Sequence, residues 1–372
     1  METFVLERIQ SLYENTVDYN LTESGVHPYS LRELFEADEL EHLLNISLGY
    51  GQTNGSLELR QAIATLYPEG SIGPEQVLVT NGSSEANFVG MKSLLKAGDE
   101  VLVMLPNYLQ IWGIAREMGC ETKGFHLKQE LDWAPDMEEL FELISPKTKM
   151  IALCHPNNPT GAVLTESEMQ EIVRLAESVG AWLYVDEIYR GAELDGVERP
   201  SFIGMYDKVV VNGGLSKAYA LPGLRIGWLV GPKELIANAW SYHDYTSITA
   251  GVLSHAVATR VLHPELRFKI LDRTRHLLNQ NLDILQSWQA KFGSAFEMVP
   301  PQAGGMAFMS YRFAKRSAEL SDYLRLNHSV FVVPGSAFGM EGYLRLGIGA
   351  EAEYFKAGLA RIEAGLAAMQ LL

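Results

Sequence analysis

Between Gly213 and Arg225 the chain reads GGLSKAYALPGLR, a single lysine set among small residues. Ser216 directly precedes Lys217, and Arg225 stands eight positions after it. Burial penalises an ammonium group and lowers its pKa, which frees the amine to act as a nucleophile. Small neighbours let a flat molecule come close, and a serine with an arginine can hold a phosphate. The chemistry this combination suits is a Schiff base between Lys217 and the aldehyde of a phosphorylated cofactor. On its own, a Ser–Lys pair is more often part of a surface loop, so residues elsewhere must decide.

NGSSEA (81–86) follows an apolar strand pattern and opens a helix. Gly82, Ser83 and Ser84 would surround a phosphate with free N–H groups, hydroxyls and the positive end of the helix dipole, or simply cap the helix. GxGxxG follows no strand, which weighs against a dinucleotide site and a dehydrogenase. In HPNNPTG (155–161) two prolines bracket Asn157 and Asn158, a rigid turn that holds an amide in fixed orientation. Asp186 ends the run AWLYVD, where a partly desolvated carboxylate needs a cation or an N–H group. It either caps a helix or faces a pyridinium nitrogen, keeping the ring protonated as an electron sink, as in pyridoxal phosphate chemistry. Tyr189, read as one helical turn further on, is placed to bond that ring's phenolic oxygen.

Arg345 lies inside the strand-like YLRLG and needs an anionic partner if buried. A bidentate contact with a substrate carboxylate and an internal ion pair both satisfy it. Tyr108, in PNY after a strand, either stacks on a planar ring or belongs to the core. His27, His155 and His243 show no triad or metal spacing, and GSAFG (335–339) is not a GxSxG elbow, so no metal site is expected.

The elements that must position these residues lie between residue 77 and about 230. Apolar runs at 76–80, 100–105, 121–127, 149–154, 181–186, 208–212 and 225–230 read as strands, with helices between them, including 166–179. Such an alternation predicts an α/β fold: a mostly parallel sheet covered on both faces, with ligands beyond the carboxyl ends of the strands. An opening helix, a helix from Ser30 and one capped near Ser56 precede the sheet. Beyond Lys233 a long helix (about 264–291), strands at 305–310 and 343–348 and a final helix from about Glu351 suggest a smaller α+β domain, with the N-terminal arm folding back onto it. The expected division is 1–45 for the arm and part of the small domain, 46–250 for the large domain and 251–372 for the rest of the small one.

A chain of 372 residues with 47% hydrophobic residues can bury a large core. The formal charge of −16, without a basic run, argues against nucleic acid. Two cysteines, Cys120 and Cys154, imply no disulfide framework. The first ten residues lack a signal-peptide pattern and no apolar run reaches membrane-spanning length, so a cytoplasmic protein without membrane association is expected.

Taken together, NPTG (158–161), DEIY (186–189) and SKAYALPGLR (216–225), with YGQTNGSLELR (50–60) and VPGSAFG (333–339), resemble the class I/II aminotransferases, pyridoxal phosphate enzymes of fold type I. The resemblance runs from about Tyr50 to Arg345. It implies that Lys217 carries the cofactor and later moves the proton at Cα, and that Asp186 is the pyridinium partner. Tyr189 and Asn158 are then donors to the phenolic oxygen, and Tyr108 stacks on the ring. Gly82, Ser83, Ser84, Ser216 and Arg225 form the phosphate site. Arg345 anchors the substrate α-carboxylate with help from Asn158 and from Gly25 on the arm, and Tyr50 is lent to the neighbouring subunit's phosphate in a homodimer. The implied activity is amino-group exchange between an L-amino acid and a 2-oxo acid.

Two departures qualify the pattern. Gly214 stands where many members carry a serine. No counterpart appears of the second arginine that reads dicarboxylates in aspartate aminotransferases; HDYTS (243–247) occupies that region. SGVHPY (24–29) and LSKAYALPGLRIGW are also similar to capreomycidine synthases, which eliminate and cyclise instead of exchanging amino groups. A lyase or cyclase, and a non-catalytic effector-binding protein of the same fold, therefore stand beside the transaminase as alternatives.

Overall fold

Seven apolar runs pair into one sheet in the computed structural model, which describes residues 2–371. They are β1 (Val77–Thr80), β2 (Glu100–Leu105), β3 (Glu121–Lys128), β4 (Thr148–Cys154), β5 (Trp182–Asp186), β6 (Val209–Gly214) and β7 (Gly227–Val230). Their order is β1-β7-β6-β5-β4-β2-β3, with the two-residue strand Ala134–Pro135 at the edge. Strands β6, β5, β4, β2 and β3 are parallel neighbours in that order, whereas β7 runs antiparallel to both β1 and β6. β1 therefore points the same way as the parallel set.

Alternate residues feed two separate apolar clusters. Val77 and Val79 face one, Leu78 the other; Leu102 and Met104 oppose Val101 and Val103; Val209 and Val211 oppose Val210. A sheet buried on both faces needs this, and it explains why the inner strands read as near-continuous apolar runs, whereas β3, beside the sheet edge, is polar and largely uncovered. The helix Glu166–Val179 has the expected bounds because its ends are written in the sequence. Thr165 and Glu168 form a capping box, and Gly180 closes the helix at φ +67°.

A second, antiparallel sheet joins Phe296–Met298, Met306–Tyr311, Tyr343–Gly347 and Val333–Pro334. The helices Pro264–Gln289 and Ala352–Ala368 accompany it. The N-terminal arm begins with α1 (Val5–Tyr13), and Tyr19–Asn20 then pairs in parallel with Val330–Phe331. Beyond that pairing, Gly347 donates its N–H to the Leu21 carbonyl at 2.7 Å, and His27 donates to the Gly349 carbonyl at 2.7 Å. A Cβ at Gly347 would lie 2.0 Å from the Glu23 carbonyl oxygen, and one at Gly349 would lie 1.8 Å from that of Gly25. Only glycine lets the arm lie this close to the C-terminal sheet.

Three local expectations change. The helix after Ser30 is two pieces, Leu31–Leu34 and Ala37–Leu44. The strand expected from Arg225 starts at Gly227, because Arg225 takes a left-handed backbone at φ +52°. Residues 187–190 form a turn instead of a helix, so Tyr189 is not a helical turn beyond Asp186, and Asp186 caps no helix. No helix among the described residues is long and apolar enough to cross a membrane.

Candidate functional site

The carboxyl ends of β1, β4, β5 and β6 deliver their polar residues to one cavity of about 240 Å³, closed from the other side by the arm and by Arg345. Ser83, Ser84, Tyr108, Asn158, Asp186, Tyr189, Ser216, Lys217, Arg225 and Arg345 all line it. Gly82 and Gly25 stand immediately behind this lining. Tyr50 does not reach the cavity within one chain and is 88% exposed.

Gly82 adopts φ +85° at the start of the helix Ser83–Leu94. A Cβ there would come within 2.3 Å of an Arg225 guanidinium nitrogen. The turn and the guanidinium thus share one tight space, next to the free N–H groups of the helix start. Arg225 is held in its unusual backbone conformation, which costs on the order of 1 kcal/mol, and its Nη1 donates to the Pro222 carbonyl at 2.9 Å. The Ser216 hydroxyl is 3.4 Å from the same nitrogen. Glu85 steadies the turn from below: its carboxylate accepts the Asn81 N–H at 2.5 Å and the Ser247 hydroxyl at 2.8 Å, and pairs with buried His243 at 3.3 Å. Gly214 lies inside β6, where a Cβ would sit 2.9 Å from the Ile226 carbonyl oxygen. A serine at that position therefore has no room without a backbone shift.

In the turn after β4 the two asparagines divide the work. Asn157 faces inward; its Oδ1 accepts the Thr160 hydroxyl at 2.7 Å and its amide donates to the Pro106 carbonyl at 3.1 Å. Asn158 faces the cavity, where its amide donates to the Tyr189 hydroxyl at 3.1 Å and its Oδ1 accepts from Arg345 Nη1 at 2.9 Å. The Tyr189 hydroxyl donates to Ser24 Oγ at 2.9 Å, and burial pushes its pKa up to about 12.

Asp186 is buried, and desolvation raises its pKa although the Ile188 N–H and the Asn87 amide lean the other way. Two buried asparagines stand behind it. Asn212, at the end of β6, donates to Asn87 Oδ1, and Asn87 Nδ2 faces Asp186 Oδ2 at 3.4 Å. Asn87 also donates to Gln110, which in turn donates to the Ser84 carbonyl at 3.0 Å. This chain of amides links the Gly82–Ser84 turn to Asp186. Asn87→Ala would leave the buried Asn212 amide, and the half-buried Gln110 amide, short of a partner, and a buried orphan costs about 1–3 kcal/mol. Thermal unfolding of the variant should accordingly show a loss of about 2 kcal/mol or more; an unchanged Tm would mean the chain of amides contributes nothing.

Lys217 departs from expectation. Burial pushes its pKa down, but the carboxylate of Glu23, 2.6 Å from Nζ, together with Tyr189 outweighs this, and the net shift is upward. Lys217 in turn pulls Glu23 down to about 2. The pair is an ammonium and a carboxylate, not a free amine. Arg345 is the opposite case. It is 1% exposed in the strand Tyr343–Gly347, and among the described residues no carboxylate comes within ion-pair distance of it. Besides Asn158 it donates only to the Thr22 carbonyl, at 2.6 Å, and its Nε has no partner. Desolvation lowers its pKa. The internal ion pair that the sequence left open is thus absent.

Sequence reasoning missed Glu23, Ser24 and Thr22 on the arm, and Glu7, Gln10 and Glu14 on α1, all close to or lining the cavity. Nothing in a loop such as NLTESG (20–25) announces a contact made more than 300 positions away. Asn87 and Asn212 were findable: each is a lone amide on an otherwise apolar face, at the position where a buried partner is needed.

A sequence model of the family described as Aminotransferase class I and II matches residues 30–362. Capreomycidine synthase of Streptomyces vinaceus is 31% identical over 352 residues, spanning 92% of this chain and 88% of that protein. A solved structure of a PLP-dependent aminotransferase from Streptococcus suis 89-1591 superposes with a TM-score of 0.92 at 34% identity, covering 99% of this chain and 98% of that one. The PLP-dependent cyclase OrfR superposes with a TM-score of 0.90 at 28% identity, over 99% of this chain and 98% of that one.

Proposed function

The chain belongs to the class I and II aminotransferases, and from that premise we propose that it is a pyridoxal phosphate-dependent transaminase exchanging an amino group between an L-amino acid and a 2-oxo acid. The observation that carries this reading is Arg345, a buried guanidinium without a carboxylate partner, in the same cavity as Lys217.

The residues fit the cofactor. Ser83, Ser84, Ser216, Arg225 and the Gly82 turn would hold its phosphate. Tyr108 would pack along the ring, Asp186 would hold the proton on the ring nitrogen, and Tyr189 with Asn158 would bond the phenolic oxygen. Bound there, pyridoxal phosphate supplies an electron sink for the pair released at Cα. Lys217 Nζ would take and hold the proton from Cα, and Arg345 with Asn158 and Gly25 would hold the α-carboxylate so that the Cα–H bond faces Nζ. A cation at the ring nitrogen would oppose the desolvation that raises the pKa of Asp186.

Glu23 sets the pH behaviour of loading. An ammonium does not attack an aldehyde, and Glu23 raises the pKa of Lys217, so less neutral amine is present at pH 7 than without that carboxylate. Glu23→Gln should speed uptake of pyridoxal phosphate by the apo-protein at pH 7, where Lys217 of the parent protein is held as the ammonium by Glu23. Stopped-flow absorbance across pH 7–10 checks this, and equal uptake rates at pH 7 would refute it.

We read the protein as a homodimer in the cytoplasm, with Tyr50 serving the phosphate of the neighbouring subunit. Support comes from a broad groove beside Tyr50, lined by Phe35, Leu43, Ile46 and Val252, and from Leu44 and Leu48 standing exposed next to it. A second reading, elimination or cyclisation, is supported by the likeness to capreomycidine synthase and to the cyclase. Mixing the holoenzyme with a panel of L-amino acids, and following both the visible band of the cofactor and the products, tests the choice. Loss of the band with a 2-oxo acid formed in equal amount supports transamination; an unsaturated or cyclic amino acid supports the second reading.

A further inference from the structure

Three residues of α1 and its C-cap, at spacings of three, one and three, share one helical face and line the cavity: Glu7, Gln10, Ser11 and the cap Glu14, whose backbone is still helical. The helix is fixed in register against the carboxylate anchor. Gln10 Nε2 donates at 3.1 Å to the Thr22 carbonyl, the same oxygen that accepts from Arg345. Glu7 and Glu14 stand about one turn to either side of Gln10, roughly 5 Å along the axis.

We propose that this face of α1 reads the substrate side chain and selects amino acids ending in a cation, a guanidinium or an ammonium group. The inference rests on Arg345 taking the α-carboxylate, as proposed above. With that end of the ligand fixed at Arg345 and the amino group delivered to Lys217, the side chain has the wall of Glu7, Glu14 and Glu23 before it.

The three carboxylates are not equally free. Glu7 accepts the Tyr108 hydroxyl at 2.6 Å, and Glu23 takes Lys217 and the Gly25 N–H. Glu14 has no side-chain hydrogen bond or ion pair with any described residue, and partial burial with the nearby charges of Glu23 and Glu7 raises its pKa. The nearest cations acting on this wall are Lys217, which is committed to Glu23 and to the cofactor, and Arg345, which is committed to the substrate carboxylate. Glu14 is therefore the group that a ligand cation completes. An apolar side chain would strip water from carboxylates without repaying it, and a dicarboxylate would be repelled. The lack of any arginine on this wall fits the same selection.

The holoenzyme is mixed with L-arginine, L-lysine, L-citrulline, L-norleucine and L-glutamate, and KM and kcat are taken from the cofactor band or from product. Arginine or lysine should show a KM at least about tenfold below citrulline and norleucine, with glutamate weakest, the effect of one charge-assisted contact. Glu14→Gln should raise KM for the cationic substrate about tenfold, leave its kcat within about twofold, and lower KM for norleucine, which no longer strips water from that carboxylate. Equal KM values for arginine and citrulline, or indifference to Glu14→Gln, would overturn the proposal. If no amino acid alters the band, calorimetric titration with the same five compounds decides. Preferential binding of arginine or lysine that Glu14→Gln removes would keep this inference while transamination falls, and binding without that preference would remove it.

Discussion

Lys217→Ala is expected to leave a folded protein that binds pyridoxal phosphate without attaching it and turns over no amino acid. Among the described residues the only side chain bonded to Lys217 is Glu23, which is about half exposed, so its removal takes away no buried support. Far-UV circular dichroism and thermal unfolding should match the parent protein. The chemical loss is large, because one amine serves as both covalent attachment point and proton carrier. Removing a positioned acid–base group alone lowers kcat by a factor of about 10²–10⁴, and losing the attachment adds to that. Absorption spectroscopy reads the first effect as absence of the visible band of the attached cofactor, and a coupled assay reads the second. Residual activity above a hundredth of the parent value would remove Lys217 from the assigned role.

Arg345→Leu should act almost wholly on substrate affinity. A contact between a guanidinium and a carboxylate is worth about 3 kcal/mol, so KM is expected to rise roughly a hundredfold with a far smaller change in kcat. Stability should move little. The Asn158 and Thr22 oxygens each lose a donor, but a buried cation without an anionic partner is removed, and its desolvation penalty goes with it. The uptake of pyridoxal phosphate should stay within a few-fold of the parent value, which separates a lost carboxylate anchor from a collapsed cavity. A KM unaffected by the substitution would mean the carboxylate binds elsewhere.

The cofactor side of the cavity was legible in the sequence because its residues sit at the ends of strands whose apolar runs are unmistakable. Ser83, Asn158, Asp186 and Lys217 each follow such a run within a few positions, so finding the strand nearly finds the residue. The side facing the substrate was not. Thr22, Ser24 and Glu23 belong to a short loop with no periodic pattern, and their roles exist only because glycines at 347 and 349 let that loop lie against the C-terminal sheet. The acidic residues of α1 read only as part of an opening helix, and spacing alone does not separate a face turned to water from one turned to a cavity. The pKa of Lys217 was misjudged for the same reason: its direction depends on Glu23, nearly two hundred positions away.

The arm's seat also sets the order in which the protein becomes competent as it leaves the ribosome. Thr22 and Arg345 are 323 positions apart, and the arm has its backbone partners at 329–331 and 347–349. A nascent chain emerging N-terminus first carries the arm and α1 unseated until nearly everything else has been made, while the residues from Ser83 to Arg225 already lie within one contiguous sheet. Contacts this distant in sequence form late, since the entropy of closing the loop must be met before they reward it. The end of the cavity that holds Arg345 is thus completed last, and a chain released before residue 343 would retain Lys217 and its strand-end neighbours without the guanidinium proposed to hold a substrate carboxylate.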